Sequence, residues 1–136
     1  MEVMLDEGAF MPKRAHETDA GADIRTPVDV VIPAHGFAFV DTGVHMAAPH
    51  GTYLRVASKS GLNREHGITV EGVVDEGYTG SIGLTLHNSS DRRVMLHAGD
   101  KVAQVICEPC YYVSFEYVGE LAKTARGDNG FGSTGR

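Results

Sequence analysis

No apolar run in this chain approaches the roughly 18 to 20 residues that a bilayer-spanning helix needs. The amino end, MEVMLDEGAF, also lacks the basic-then-apolar layout of a signal peptide. These absences predict a cytoplasmic protein with no membrane partner. Positive charge is scarce as well: 12 Lys and Arg stand against 18 Asp and Glu, for a formal net charge of -6. Non-specific nucleic-acid binding relies on clustered cations, so no nucleic-acid partner is expected and any phosphate site must be local. Cysteine occurs only twice, as Cys107 and Cys110 in CEPC. Zinc would need a second pair, none of the seven histidines stands at ligand spacing, and no strand-then-helix pattern supports a redox centre. Two reduced cysteines near a strand end are expected.

Helical periodicity is nearly missing too: only SGLNREH (60–66) and GELAKTAR (119–126) could hold a turn or two. What the chain does contain is strand grammar. Short apolar or alternating runs recur as VDVVIP, GFAFVDTGV, GTYLRVAS, GITV, SIGLTLHN, RVMLHAG, KVAQVICEP and YVSFEYV, broken by PAHG, APHG, DEGYTG, NSSDRR and HAGD. A length of 136 residues suits one domain. The predicted fold class is all-β: a jelly-roll-like antiparallel sandwich or distorted barrel with at most one short helix. The ending ARGDNGFGSTG (125–135) is too rich in glycine to fold on itself, so a flexible C-terminal arm is expected to follow the domain.

Five loops carry residues capable of chemistry. In AGAD, Asp23 could steer water or a hydrated cation, or simply close a turn beside a strand. In SKSGLNREHG, Ser58, Ser60 and Gly61 around Lys59 offer hydroxyl and N–H donors to an anion, or make a surface turn. In VEGVVDEGYTGSIG, Asp75 follows the apolar pair Val73–Val74, where a carboxylate could orient and deprotonate a water. It could equally open a turn through Glu76 and Gly77. Tyr78 is a core aromatic or a platform for a sugar or base, and Glu76 reads as solvated. In GDKVAQVI, Gln104 shares a face with Val102 and Ile106 and needs partners for its amide, whereas Lys101 reads as a surface strand residue. The tail offers the Arg126 fork for phosphate, the Phe131 face for a base, and donors from Ser133, Thr134 and the glycines. Together these read as a nucleotide lid. RGD at 126–128 is also a possible adhesion tripeptide, which the eleven-residue context outweighs.

In order and spacing these five loops resemble the motifs of the trimeric dUTP diphosphatases, from MPKRAHETDAGADI to GFGSTG. The resemblance implies hydrolysis of dUTP to dUMP and pyrophosphate by in-line water attack on the α-phosphorus, which keeps uracil out of DNA and supplies dUMP for dTMP synthesis. It implies that Asp75 positions the water and that Tyr78 packs on deoxyribose and refuses a 2′-hydroxyl. Backbone around Gly72, Val73 and Val74, with Gly83 nearby, would read the uracil edge. Lys59, Ser60, Gly61, Gln104, Arg126, Ser133 and Thr134 would contact phosphates, and Phe131 with Gly132 would cover the base. Asp23 would lie on the metal side, reaching Mg2+ through water, with the ion held mainly by phosphates. Lys59 departs from the family's usual arginine at its position, placing a point charge where a fork is expected. The stretch from Gly67 to Asp75 is compact, which tightens the uracil hairpin.

The resemblance further implies a homotrimer with shared sites. Residues 1–124 would form a single dUTPase-like β domain, and 125–136 a lid over a neighbouring subunit's site. Two other readings share the scaffold. A dCTP deaminase would release ammonia, but the Asp75 pattern and the GFGSTG lid speak against it. A non-catalytic nucleotide sensor is the reading from a different class, against which the full motif set argues for retained catalysis.

Overall fold

The computed structural model describes residues 1–129. Ten strands and one helix follow in order: β1 (Glu2–Leu5), β2 (Ala22–Arg25), β3 (Val30–Ile32), β4 (Phe37–Ala47), β5 (Thr52–Ala57), α1 (Ser60–His66), β6 (Ile68–Thr69), β7 (Glu71–Val74), β8 (Ser81–Asn88), β9 (Val94–Leu96) and β10 (Lys101–Pro109). The strands make two antiparallel four-stranded sheets, ordered β1-β4-β8-β6 and β2-β10-β5-β7, with β3 and β9 as a separate ribbon. The fold is the expected jelly-roll-like antiparallel sandwich, open rather than closed into a barrel.

Side-chain alternation explains the layering. In β8, Ile82, Leu84 and Leu86 point into the core while Gly83, Thr85 and His87 point out. They meet Val40 and Val44 of β4, Leu54 and Val56 of β5, Ile24 of β2 and Val105 of β10 in one cluster between the sheets. The few buried polar groups are satisfied. Asn88 donates to the carbonyls of Pro33 (3.0 Å) and Arg92 (2.7 Å) and accepts from the Ser90 amide (2.9 Å), which locks the β8–β9 connection. Thr42 donates to the Ile82 carbonyl at 2.7 Å, beside a register shift in β4 where Gly43 adopts φ 63°.

Four expectations need correction. AGAD is not a turn: Asp23 lies within β2, directly opposite Gln104 of β10. A bulge between Lys101 and Ala103 shifts the alternation of β10. Val102 and Ala103 are therefore both buried, and Gln104 aligns with half-buried Ile106 but not with Val102. YVSFEYV forms no strand; Phe115 and Tyr117 are each 96% exposed, because no sheet edge of this chain lies alongside to complete their ladder. GELAKTAR forms no helix either, being too short to persist without packing. SGLNREH does become α1, and Gly67 closes it in the left-handed conformation at φ 67°.

Leu86 is fully buried within the core cluster. Leu86→Ala should lower unfolding free energy by about 2–5 kcal/mol, measured by urea titration of the folded protein.

Candidate active site

β7 ends one sheet and β8 begins in the other, so the turn between them crosses from sheet to sheet. Val73, Val74, Asp75, Tyr78, Ser81, Ile82 and Gly83 line a cleft of about 210 Å³ at that crossing. Five of the sequence-predicted residues thus share one cleft. The predicted hairpin is in fact a splayed pair of strands: β7 is the edge of its sheet, so its outer backbone groups have no ladder partner there. Gly72 opposes Val56 in the β5–β7 ladder and faces an adjoining groove with Arg55, Ser58 and Glu71.

Asp75 is exposed at the strand end, and its carboxylate makes no hydrogen bond among the described residues. Its backbone carbonyl accepts from the Tyr78 amide at 3.1 Å, closing the turn. The Tyr78 hydroxyl donates to the Ser81 carbonyl at 2.8 Å, which pins the ring across the cleft. Gly80 lies so close beneath that ring that a Cβ would strike the phenol, and a Cβ on Gly83 would come within 2.7 Å of the Phe39 ring. Neither Gly80 nor Phe39 carried a role in the sequence; only their spacing around Tyr78 and Gly83 could have flagged them.

Glu76, read from sequence as solvated, is instead a hub. It lies 2.8 Å from His50 Nδ1, accepts from the Gly51 amide at 2.9 Å and also accepts from the Tyr112 hydroxyl. The hydrogen bonds from Tyr112, then His50, then Gly51 hold its carboxyl at about 2, and in return the Glu76 bond pushes Tyr112 up to about 12. The far end of the turn is held too. His45 Nδ1 lies 2.9 Å from the Thr79 carbonyl, and this bond, then the one to Asp6, raises the imidazole pKa. Asp41 accepts from the Ser81 hydroxyl, which, with the Gly43 amide, lowers its carboxyl pKa.

The second cluster lies where β2, β10 and the end of β5 meet. Asp23 pairs with Lys59 and with Lys101, the latter at 2.7 Å. Burial alone would raise the Asp23 carboxyl, but the bonds from Lys101 and Lys59, and their charges, outweigh it and lower it. Lys101, expected to be a plain surface residue, is therefore part of this group. Gln104 donates to the Ser58 carbonyl at 3.1 Å, and its amide rests against Gly21 so tightly that a Cβ there would strike Oε1. The Ser58 hydroxyl is used in bridging to both backbone groups of Val70 at 2.9 Å. Ser60 and Gly61 begin α1, whose first-turn amides receive no side-chain cap.

The two clusters sit at opposite ends of one ladder. Leu54 opposes Val74, so Asp75 stands level with Tyr53, six residues before Lys59. At about 3.3 Å per residue this separation is on the order of 20 Å. Arg126 joins neither cluster; it is exposed and donates to the Asn129 carbonyl at 3.1 Å. Phe131, Gly132, Ser133 and Thr134 lie outside the described residues. No group of three or more His, Cys, Asp or Glu suited to a metal occurs among the described residues. The only acidic donor in the second cluster, Asp23, is already paired with two ammoniums. That donor set fits a hydrated ion carried in by a ligand's phosphates rather than one held by a protein cage. Cys107 and Cys110 are free thiols at the end of β10.

A family model for dUTPase matches residues 7–135. The chain is 43% identical over 132 residues to the deoxyuridine 5′-triphosphate nucleotidohydrolase of Oryza sativa subsp. japonica, covering 96% of this chain and 77% of that one. Against the enzyme of the same name from Paramecium bursaria Chlorella virus 1, identity is 44% over 132 residues, covering 96% and 94%. Among solved structures, the Staphylococcus bacteriophage 80alpha dUTPase with dUpNHpp superposes with a TM-score of 0.90 at 26% identity, covering 99% of this chain and 98% of that one. A dUTPase from phage phi11 of S. aureus, reported with a structural Mg(II) ion, superposes with a TM-score of 0.80 at 26% identity over 88% and 96%. By motif order, sandwich topology and these matches, the chain belongs to the dUTPase family.

Proposed function

We propose that this protein hydrolyses dUTP to dUMP and pyrophosphate, with water attacking the α-phosphorus in line. The observation that carries the reading is the single cleft shared by Val73, Val74, Asp75, Tyr78 and Gly83. The unengaged carboxylate of Asp75 at its mouth holds and deprotonates the water. The fixed Tyr78 ring lies against deoxyribose and leaves no room for a 2′-hydroxyl. The open backbone edge of β7 supplies donors and acceptors that match uracil; cytosine, with an amine where uracil has a carbonyl, would leave a polar group unpaired.

Phosphate handling belongs to the other cluster. Lys59, the free amides at Ser60 and Gly61, and the Gln104 amide surround the phosphates, while Arg126, Ser133 and Thr134 arrive from the C-terminal lid, with Phe131 and Gly132 over the base. A Mg2+ carried in on the phosphates would neutralise part of their charge, and Asp23 would be the protein group to bind its waters. Reacting groups must lie within a few ångströms of one another. A gap on the order of 20 Å along the β5–β7 ladder supports a site assembled between subunits, with Lys59 and Gln104 of one chain facing Asp75 of another. A homotrimer with three equal shared sites satisfies that need.

Asp75→Asn should lower kcat for pyrophosphate release by about 10²–10⁴-fold while dUTP still binds in calorimetry; robust turnover by the variant would refute its role. Refolding Asp75→Asn chains together with chains truncated after Thr124 should restore part of the activity that each lacks alone, because some mixed sites are intact. A mixture as inactive as its parents would exclude shared sites. Chelation of magnesium should stop pyrophosphate release from dUTP and re-addition should restore it, with no ammonia formed from dCTP in a parallel assay.

A further inference from the structure

Glu76 stands one residue from Asp75, yet its side chain turns away from the cleft and is only 31% exposed. It draws together three segments distant in sequence. His50 and Gly51 come from the β4–β5 loop, Glu76 from the β7–β8 turn, and Tyr112 from the chain leaving β10. Gly51 joins the same three segments through its backbone: its amide donates to Glu76 while its carbonyl accepts from the Cys110 amide at 2.8 Å. The loop that presents Gly51 is itself closed by Thr52, whose amide and hydroxyl both donate to the Pro49 carbonyl, at 3.1 and 2.7 Å.

Beyond Asp75 the turn is tethered at Thr79 by His45 and at Ser81 by Asp41. Those tethers fix its downstream half. The upstream half, where the Asp75 carboxylate projects without a partner of its own among the described residues, is tethered by Glu76. A carboxylate with no hydrogen bond is only as well aimed as the backbone beneath it, and in-line attack tolerates little error in that aim.

We infer that Glu76 is the positioning residue of this turn: it fixes the backbone that aims Asp75, and through Tyr112 it ties that aim to the start of the C-terminal segment. The inference rests on the dUTP-hydrolysis reading of the cleft. Glu76 touches no substrate in this arrangement and acts through its neighbour. The depressed carboxyl of Glu76 and the raised imidazole of His50, both traced first to hydrogen bonds within the group, mark the clasp as charge-assisted.

The test compares the parent protein with Glu76→Ala, Glu76→Gln and Tyr112→Phe in dUTP hydrolysis with magnesium, alongside thermal melting and hydrogen exchange at the Tyr78 amide. Glu76→Ala should lose at least tenfold in kcat with KM changed less than threefold, melt within a few degrees of the parent, and exchange faster at Tyr78. Glu76→Gln, which keeps one acceptor oxygen but puts a donor amide in place of the other and removes the charge, should recover part of the loss, and Tyr112→Phe should fall between. A kcat within twofold of the parent, or a loss shared equally by KM and by the melting of the whole domain, would overturn the inference. If Glu76→Ala does not fold, Tyr112→Phe decides by the same readouts. A parent that releases no pyrophosphate from dUTP would defeat the functional reading instead. The clasp would then stand or fall on whether Tyr78 exchange accelerates in the variants.

Discussion

Between Val74 and Ser81 the chain leaves one sheet and enters the other, and over those residues its peptide groups lose the ladder partners that both strands enjoy. Backbone in that position has to be held by other means. Side chains from the β4 strand and the β4–β5 loop do so, at Thr79, Ser81 and Glu76. The cleft exists because the sheets part there, and the open edge of β7 exists because its ladder stops there. A recognition surface made of backbone is rigid in a way that a surface of long side chains is not, since each group is fixed by the strand on its other side.

Charge is divided along the molecule to the same end. The lysines gather around Asp23 at one end of the β5–β7 ladder, and Asp75 stands at the other. Were they adjacent in one chain, the ammoniums would pair with Asp75 and leave it a poor base. Within this chain they pair with Asp23, and the Asp75 carboxylate is left without a hydrogen-bond partner among the described residues. In the proposed trimer, cation and carboxylate would meet at the same nucleotide from different subunits.

The sequence was most legible where a local rule sufficed. SIGLTLHN alternates without a break and becomes β8; SGLNREH, with Gly67 behind it, becomes α1. Asp75, after two valines and ahead of Glu76 and Gly77, announces a strand end and a turn, and both are there. Legibility failed where the outcome depends on a partner far along the chain. ADIR is too short to declare itself, and becomes a strand only because β10 lies beside it. Glu76 looked solvated because its partners lie 26 and 36 residues away. Lys101 looked idle because Asp23 is remote in sequence. One bulge in β10 was enough to put Val102 and Gln104 on different faces, against simple counting. YVSFEYV has a strand's pattern with no neighbour of its own chain, and a pattern without a neighbour is not yet a strand.

Gly80 shows how far such dependence reaches. Its hydrogen occupies the space in which any side chain would collide with the phenol of Tyr78. In the proposed reading that phenol is the wall against which a sugar is measured. On that reading the width of the gate is set from behind by an atom group that is missing. A methyl added there would then tilt the wall without altering any residue that faces the guest, and preference for one sugar over another could drift while every contacting side chain stays the same.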